Sequence, residues 1–226
     1  MKKISMKNGL RSCALGMALL AAMSASAGDF TPKNPMTMWY DVPSTATGVK
    51  NVWMEYSLPI GNGQLGGSLF GGLNKDEIQF NEKTLWTGKP SDMQGFGGGY
   101  GQYKNFGSIF VEDLSGVFLP GKDGEVKDYV RSLDLQEGIG RVHCTSAEYM
   151  TAYDRTYFVS NPDKVMVARY QASGKKKLHL LFSFAPGKDI NASPVAYATD
   201  AGSLPYANFH GQLETVAYQA TMRVVP

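Results

Sequence analysis

Cysteine is nearly absent from this chain: 226 residues carry two, Cys13 and Cys144. Cys13 falls inside an N-terminal segment that reads as a removable leader, and the apolar run follows it instead of preceding it, so it does not have the form of a lipid-attachment cysteine. With Cys144 alone in the mature chain, an intramolecular disulfide and a cysteine-based metal site are both excluded. Histidine is scarce too. His143, His179 and His210 are separated singletons without paired ligand spacing, and none stands near a Gly-x-Ser-x-Gly nucleophile elbow. No metal and no cofactor are expected. Charge of one sign is also missing: 22 basic residues against 20 acidic ones give a formal net charge of +2, so a nucleic-acid partner is not expected. Helical periodicity is lacking. No stretch as long as the strand-like runs repeats at 3.6 residues, which excludes a helical domain.

The longest apolar run, CALGMALLAAM, is about a dozen residues, well short of the roughly 20 that cross a bilayer as a helix. Preceded by MKKISMKNGLR and followed by Ala25-Ser26-Ala27, it has the layout of a signal peptide, residues 1–27, cleaved after Ala27. A periplasmic or secreted protein without a membrane anchor is therefore expected. About 200 residues remain, enough for one domain to bury its own core.

What the remaining sequence contains is mostly strand signal. Met38 to Val42 reads as a sheet-edge strand among prolines, and Asn51 to Tyr56 as a short strand or helical turn. Trp39 and Trp53 are read as packing residues. Gly95 to Tyr103 is a glycine-rich loop; it lacks both the helix and the Lys-Ser/Thr ending of a phosphate-cradling loop. Further strands are expected at Ile109 to Val111, Leu133 to Leu135, Arg141 to Thr145 and Tyr153 to Val159, with turns at Gln136 to Gly138, Ser146 to Glu148 and Asn161 to Asp163. Lys164 to Gln171 and Lys177 to Ala185 read as a hairpin turning at Ser173-Gly174-Lys175. Leu178, Leu180, Phe182 and Phe184 fall on one face of it at period two. Pro186 to Tyr206 reads as a long surface connection. His210 to Leu213 and Val216 to Val225 close the series, and the abrupt ending at Pro226 suggests a cut through a larger architecture that leaves an unpaired edge at Val216 to Val225.

Glu55 to Pro90, EYSLPIGNGQLGGSLFGGLNKDEIQFNEKTLWTGKP, is the densest in special residues. It reads as a Gly-rich turn, a Gly-punctuated apolar run, a polar turn at Asn74-Lys75-Asp76, a strand at EIQF, and a polar-aromatic loop. Within that loop Asn81, Glu82, Thr84 and Trp86 are the candidate substrate-binding residues. An amide and a carboxylate exchange hydrogen bonds with vicinal hydroxyls, and an indole face packs on the apolar face of a pyranose. The alternative is that Asn81 and Glu82 satisfy backbone groups of a tight loop while Trp86 plugs the core. Glycosidic hydrolysis needs two carboxyl groups about 5 to 10 Å apart, and Glu82 alone is not a pair.

The string LPIGNGQLGGSLFGGLNKDEIQFNEKTLWTGKP resembles the opening motif of the N-terminal domain of glycoside hydrolase family 95, the α-L-fucosidases and α-L-galactosidases. The likeness continues through YGQYKNFGSIFV, YVRSLDLQEGIGRV, YDRTYFVSNPDKVMVARY and HGQLETVAYQATMRVV, covering nearly all of Met38 to Val225 in order. The resemblance implies an N-terminal β-supersandwich and, elsewhere in such enzymes, an (α/α)6 barrel that carries the catalytic acid and base. This chain resembles only the first part, so no catalytic residue transfers to it. Taken together, an all-β, large antiparallel β-sandwich over residues 28–226 is expected, incomplete at its C-terminal end. Its expected role is that of the N-terminal, non-catalytic domain of an exported α-L-fucosidase-like inverting glycosidase. Its partners would be a glycan ending in fucose or a related sugar and the missing catalytic domain. The other reading is a free-standing carbohydrate-binding module.

Overall fold

The computed structural model describes residues 30–46, 48–88, 101–118, 126–188, 190–198 and 205–226. The signal segment and residues 95–100 of the glycine-rich loop lie outside them. Fifteen strands are present among the described residues: β1 (Thr37–Tyr40), β2 (Leu58–Gly61), β3 (Leu65–Leu69), β4 (Lys75–Glu82), β5 (Trp86–Thr87), β6 (Gln102–Tyr103), β7 (Gly107–Asp113), β8 (Val126–Asp134), β9 (Ile139–Ser146), β10 (Thr151–Val159), β11 (Met166–Gly174), β12 (Leu180–Pro186), β13 (Ala196–Ala198), β14 (Tyr206–Gln212) and β15 (Ala217–Arg223). Among the described residues helix is confined to a 3-10 turn, Ser44–Ala46, and one α-turn, Val52–Glu55, capped by the Asn51 side chain, and all strand pairings are antiparallel. The first sheet runs β1-β8-β9-β10-β11, the second β12-β7-β4-β3-β2, the third β13-β14-β15, and β5 pairs with β6 as a short ribbon. The all-β sandwich expected from the strand alternation together with the family resemblance is the observed fold.

Period two decides which face is buried. Along β9, Gly140, Val142, Cys144 and Ser146 are buried and the residues between them are not; along β10 the same holds for Thr151, Tyr153, Arg155 and Tyr157. These inward residues meet Leu58, Ile60, Leu69 and Ile78 from the second sheet in the main core. A second core forms where Phe209, fully buried, meets Phe184 at 4.4 Å and Phe106 at 5.7 Å between ring centroids. Ile78 belongs to the main core and Phe80, two residues along β4 on the same face, packs against the second. One face of the second sheet is thus covered by the first sheet at one end and by the third at the other.

Several expectations are corrected. The segments Lys164 to Gln171 and Lys177 to Ala185 do not form a hairpin, because β11 pairs with β10 in the first sheet and β12 with β7 in the second. Alternation and a Ser-Gly turn are equally compatible with a crossover, and residues 175–179 carry no strand pairing, which lets the chain change layers. Asp76 is no turn residue; it lies inside β4 and is buried. The connection Pro186 to Tyr206 holds the short strand β13 and buried Ile190. Trp53 is 52% exposed because its α-turn buries none of its residues, whereas Trp39, 41% exposed, packs edge-on against Phe30. Met38 to Val42 does hold an edge strand, β1, paired with β8. The last strand, β15, pairs with β14 and forms an edge of the third sheet.

Candidate functional site

The Gly-rich turn and the polar-aromatic loop lie at one end of the second sheet. Antiparallel register sets Leu65 opposite Glu82 and Gly66 opposite Asn81, so the turn after β2 stands beside the end of β4. Asn62 builds that turn: its Oδ1 accepts from the Gln64 and Leu65 amides at 2.9 and 2.8 Å, and its Nδ2 donates to the Ser160 carbonyl at 2.7 Å. Gly63 takes a φ of 83°, a left-handed conformation that favours glycine. The backbone of Lys83 then donates to the Gln64 carbonyl at 3.0 Å, tying loop to turn.

Of the four candidate residues, three fold on themselves. The Glu82 amide donates to the Asn81 side-chain oxygen at 2.9 Å. Glu82 Oε2 accepts from the Thr84 amide at 2.7 Å and also from the Thr84 hydroxyl. This is the backbone-satisfying arrangement, and it leaves the other carboxylate oxygen, Oε1, buried with no hydrogen-bond partner among the described residues. A buried carboxylate oxygen without a donor is costly unless something supplies one. Trp86 is not the core plug. Leu85, 1% exposed, takes that place in the second core, while half-buried Trp86 meets Tyr103 edge-on at 4.5 Å across the β5–β6 ribbon. Alternation along the loop forces the choice, since burying Leu85 turns its neighbour outward. Tyr103 is 58% exposed, which makes the pair an aromatic surface beside Glu82's loop. Gly101 is required here, because a Cβ would sit 1.7 Å from the Thr87 carbonyl oxygen and 2.3 Å from the Trp86 ring nitrogen.

Sequence reasoning missed a second polar group, buried between the two large sheets. Asp76 Oδ2 accepts from Tyr157 at 2.6 Å and from Tyr170 at 2.9 Å and lies 3.5 Å from Arg155. Arg155 also donates to the carbonyls of Gly72 at 2.6 Å and Leu73 at 3.0 Å. Burial, then the adjacent Asp76 charge, pushes both phenols well above their ordinary pKa. For Arg155 burial works the other way, but Asp76 and the two phenols outweigh it and hold the guanidinium firmly charged. The adjoining cavity of about 10 Å³ admits a water at most. The network therefore joins the sheets and anchors the backbone at Gly72 and Leu73; it is not a substrate site. The detectable signal was Asp76 standing at period two with Ile78 and Phe80. Among the described residues no group of three metal-ligating side chains comes together.

The family profile described as "Glycosyl hydrolase family 65, N-terminal domain" matches residues 38–97 and 91–226. Its number differs from the family whose motif the sequence resembles, but domain position and enzyme class agree. "Alpha-L-fucosidase 2" of Arabidopsis thaliana is 28% identical, over 62% of this chain and 19% of its own length. "Probable alpha-fucosidase A" of Aspergillus niger is 25% identical, over 71% of this chain and 21% of its own length. This chain therefore spans about a fifth of the length of those relatives. The matched span takes in the Asn62 turn, the Glu82 loop, both cores and the buried Asp76 network alike. The chain belongs to the family of glycosyl hydrolase family 65 N-terminal domains and is similar, over about a fifth of their length, to two proteins named as α-fucosidases.

Proposed function

We propose that this chain is the exported, non-catalytic N-terminal domain of an α-L-fucosidase-like glycosidase that removes terminal sugars from glycans. The carrying observation is the profile match from residue 38 to 226 together with two relatives named as α-fucosidases. The leader, residues 1–27, supports export to the periplasm or beyond. In the complete enzyme the Asn81–Gly88 segment walls the sugar pocket, with the Trp86–Tyr103 pair meeting a C–H face. Glu82 is the single acid from Asn81 to Gly88 and not a pair, and the family resemblance implies that the bond-breaking acid and base belong to the catalytic barrel. Alone, the chain is silent: fucose released from a chromogenic α-L-fucoside by the purified 226-residue chain would overturn this.

Exposed Tyr103, packed edge-on against half-buried Trp86, also favours a second reading, a free-standing carbohydrate-binding module. Calorimetry with fucosylated glycans on the wild type and Trp86→Ala separates the two. Binding by the isolated chain that is lost in Trp86→Ala supports the module, whereas binding that is unchanged removes Trp86 from either account.

A further inference from the structure

The first sheet carries on its outer face a groove of about 530 Å³, within the range of roughly 300 to 1,000 Å³ typical of small-ligand sites. Strand register builds its floor. Val130 on β8 stands opposite His143 on β9, which stands opposite Asp154 on β10; one same-face rung along, Ser132, Arg141 and Thr156 repeat the row. Phe30 and Pro32, ahead of β1, supply an apolar wall, and Phe30 is braced edge-on by Trp39 at 5.4 Å. At the rim β8 changes register between Lys127 and Val130, and Asp128 there takes a φ of 54°. Bulges of this kind re-aim side chains beside functional sites.

The charges around the groove narrow its ligand. His143 Nδ1 lies 2.7 Å from Asp154 Oδ1, and Arg141 donates to Glu137 at 2.6 Å, so both donors are already engaged with carboxylates. Asp128 and Asp134 add further negative charge, opposed by Lys33; Arg155 is neutralised from the core side by Asp76. Phosphate, sulfate and carboxylate ligands are disfavoured by such a lining. A neutral ligand rich in hydroxyl donors suits it. The Ser132 and Thr156 hydroxyls, the Asp154 carboxylate and the imidazole of His143 lie on one face beside the apolar Phe30, Pro32 and Val130, which matches a ring with one apolar face and an equatorial belt of hydroxyls.

We propose that this groove is a second carbohydrate site, one that takes a neutral pyranose. The choice of ligand class rests on the glycan-acting reading above, but the groove shares no residue with the Asn81–Trp86 loop. A pyranose has about a dozen heavy atoms, and at the efficiency of drug-sized ligands its dissociation constant falls on the order of 1 mM.

Amide-resolved NMR of the isotope-labelled full chain, titrated separately with L-fucose, D-galactose, D-xylose and calcium chloride, tests this. Saturable shifts at the amides of Ser132, Arg141, His143 and Thr156 are expected with at least one sugar. Asp154→Asn, a change at a half-exposed side chain, should weaken them about tenfold. Thr156→Val should also weaken them and serves if the first variant is poorly folded. The inference is overturned by the absence of saturable groove shifts with all three sugars, by groove shifts with calcium alone, or by unchanged affinity in both variants. Shifts at residues 82–87 report on the other loop and are read independently, so either site can fail without the other.

Discussion

Replacing Asp76 by Asn removes the carboxylate that Tyr157 and Tyr170 hydrogen-bond and leaves Arg155 charged in the interior. Both members of the ion pair are shielded, Asp76 at 1% exposure and Arg155 at 8%. Breaking a buried pair by removing one partner costs about 3 to 5 kcal/mol, because the surviving charge is uncompensated. The retained amide oxygen of Asn still accepts from one phenol, and Arg155 keeps its bonds to Gly72 and Leu73, so the lower half of that range is expected. Against a total stability of about 5 to 15 kcal/mol this is a large fraction. Urea unfolding of the full chain followed by far-UV circular dichroism reads it directly. At a slope of about 2 kcal/mol per molar, a loss of 3 to 4 kcal/mol moves the midpoint down by about 1.5 to 2 M. The companion double variant, Asp76→Leu with Arg155→Met, removes both charges and should recover most of the loss. A midpoint change below about 0.5 M for Asp76→Asn, or a double variant as unstable as the sum of its singles, would refute the assignment of this network as a buried ion pair.

Other outcomes follow from the same interior. Gly71 has a φ of 69°, and a Cβ there would lie 2.5 Å from the Tyr129 hydroxyl, which itself donates to the Gly71 carbonyl at 2.6 Å. Gly71→Ala should therefore destabilise by about 1 to 3 kcal/mol, whereas Gly138→Ala, where the glycine also has positive φ but faces open space, should lose less; equal losses at both would deny the steric part of the argument. The Cys144 thiol, buried, has its pKa raised to about 12 chiefly by burial, so Ellman's reagent should label it only at the rate of global unfolding. Fast labelling of the native chain would place it at the surface. Tyr157 and Tyr170 have raised pKa values, so their contribution is complete below the ordinary tyrosine value of about 10 and is lost as pH rises beyond it toward the folded values. Tyrosinate absorbance should accordingly show a late fraction that ionises together with loss of circular dichroism. Complete titration near pH 10 in an intact fold would contradict the burial.

Much of the architecture was legible along the chain because sheet burial has a period of two. Val142 and Cys144, Tyr153 and Tyr157, and Tyr218, Ala220 and Met222 all follow the rule in the structure as they do in the sequence. The cluster of an amide, a carboxylate and an indole from Asn81 to Trp86 stood out as well, but not as a loop: Asn81 and Glu82 end β4 and Trp86 opens β5, leaving only Lys83 to Leu85 between the strands. Strand partners were not legible. A Ser-Gly turn between two alternating segments fits a hairpin and a sheet-to-sheet crossover equally, and β11 and β12 take the crossover.

The sequence by itself determined the fold class, the place of Asn62, Gly63 and the Glu82 loop in a family signature, and which side chains alternate inward. These properties depend on neighbours one to four residues apart. Only the tertiary structure decided that Asp76 meets Arg155, Tyr157 and Tyr170, that Leu85 and not Trp86 fills the second core, and that Val130, His143 and Asp154 share one rung of an outer groove. Those contacts join residues up to 94 positions apart, as Asp76 and Tyr170 are, and are fixed by pairing register and by how the sheets stack. No local pattern encodes either, because each is settled by competition among all the strands for the same buried face.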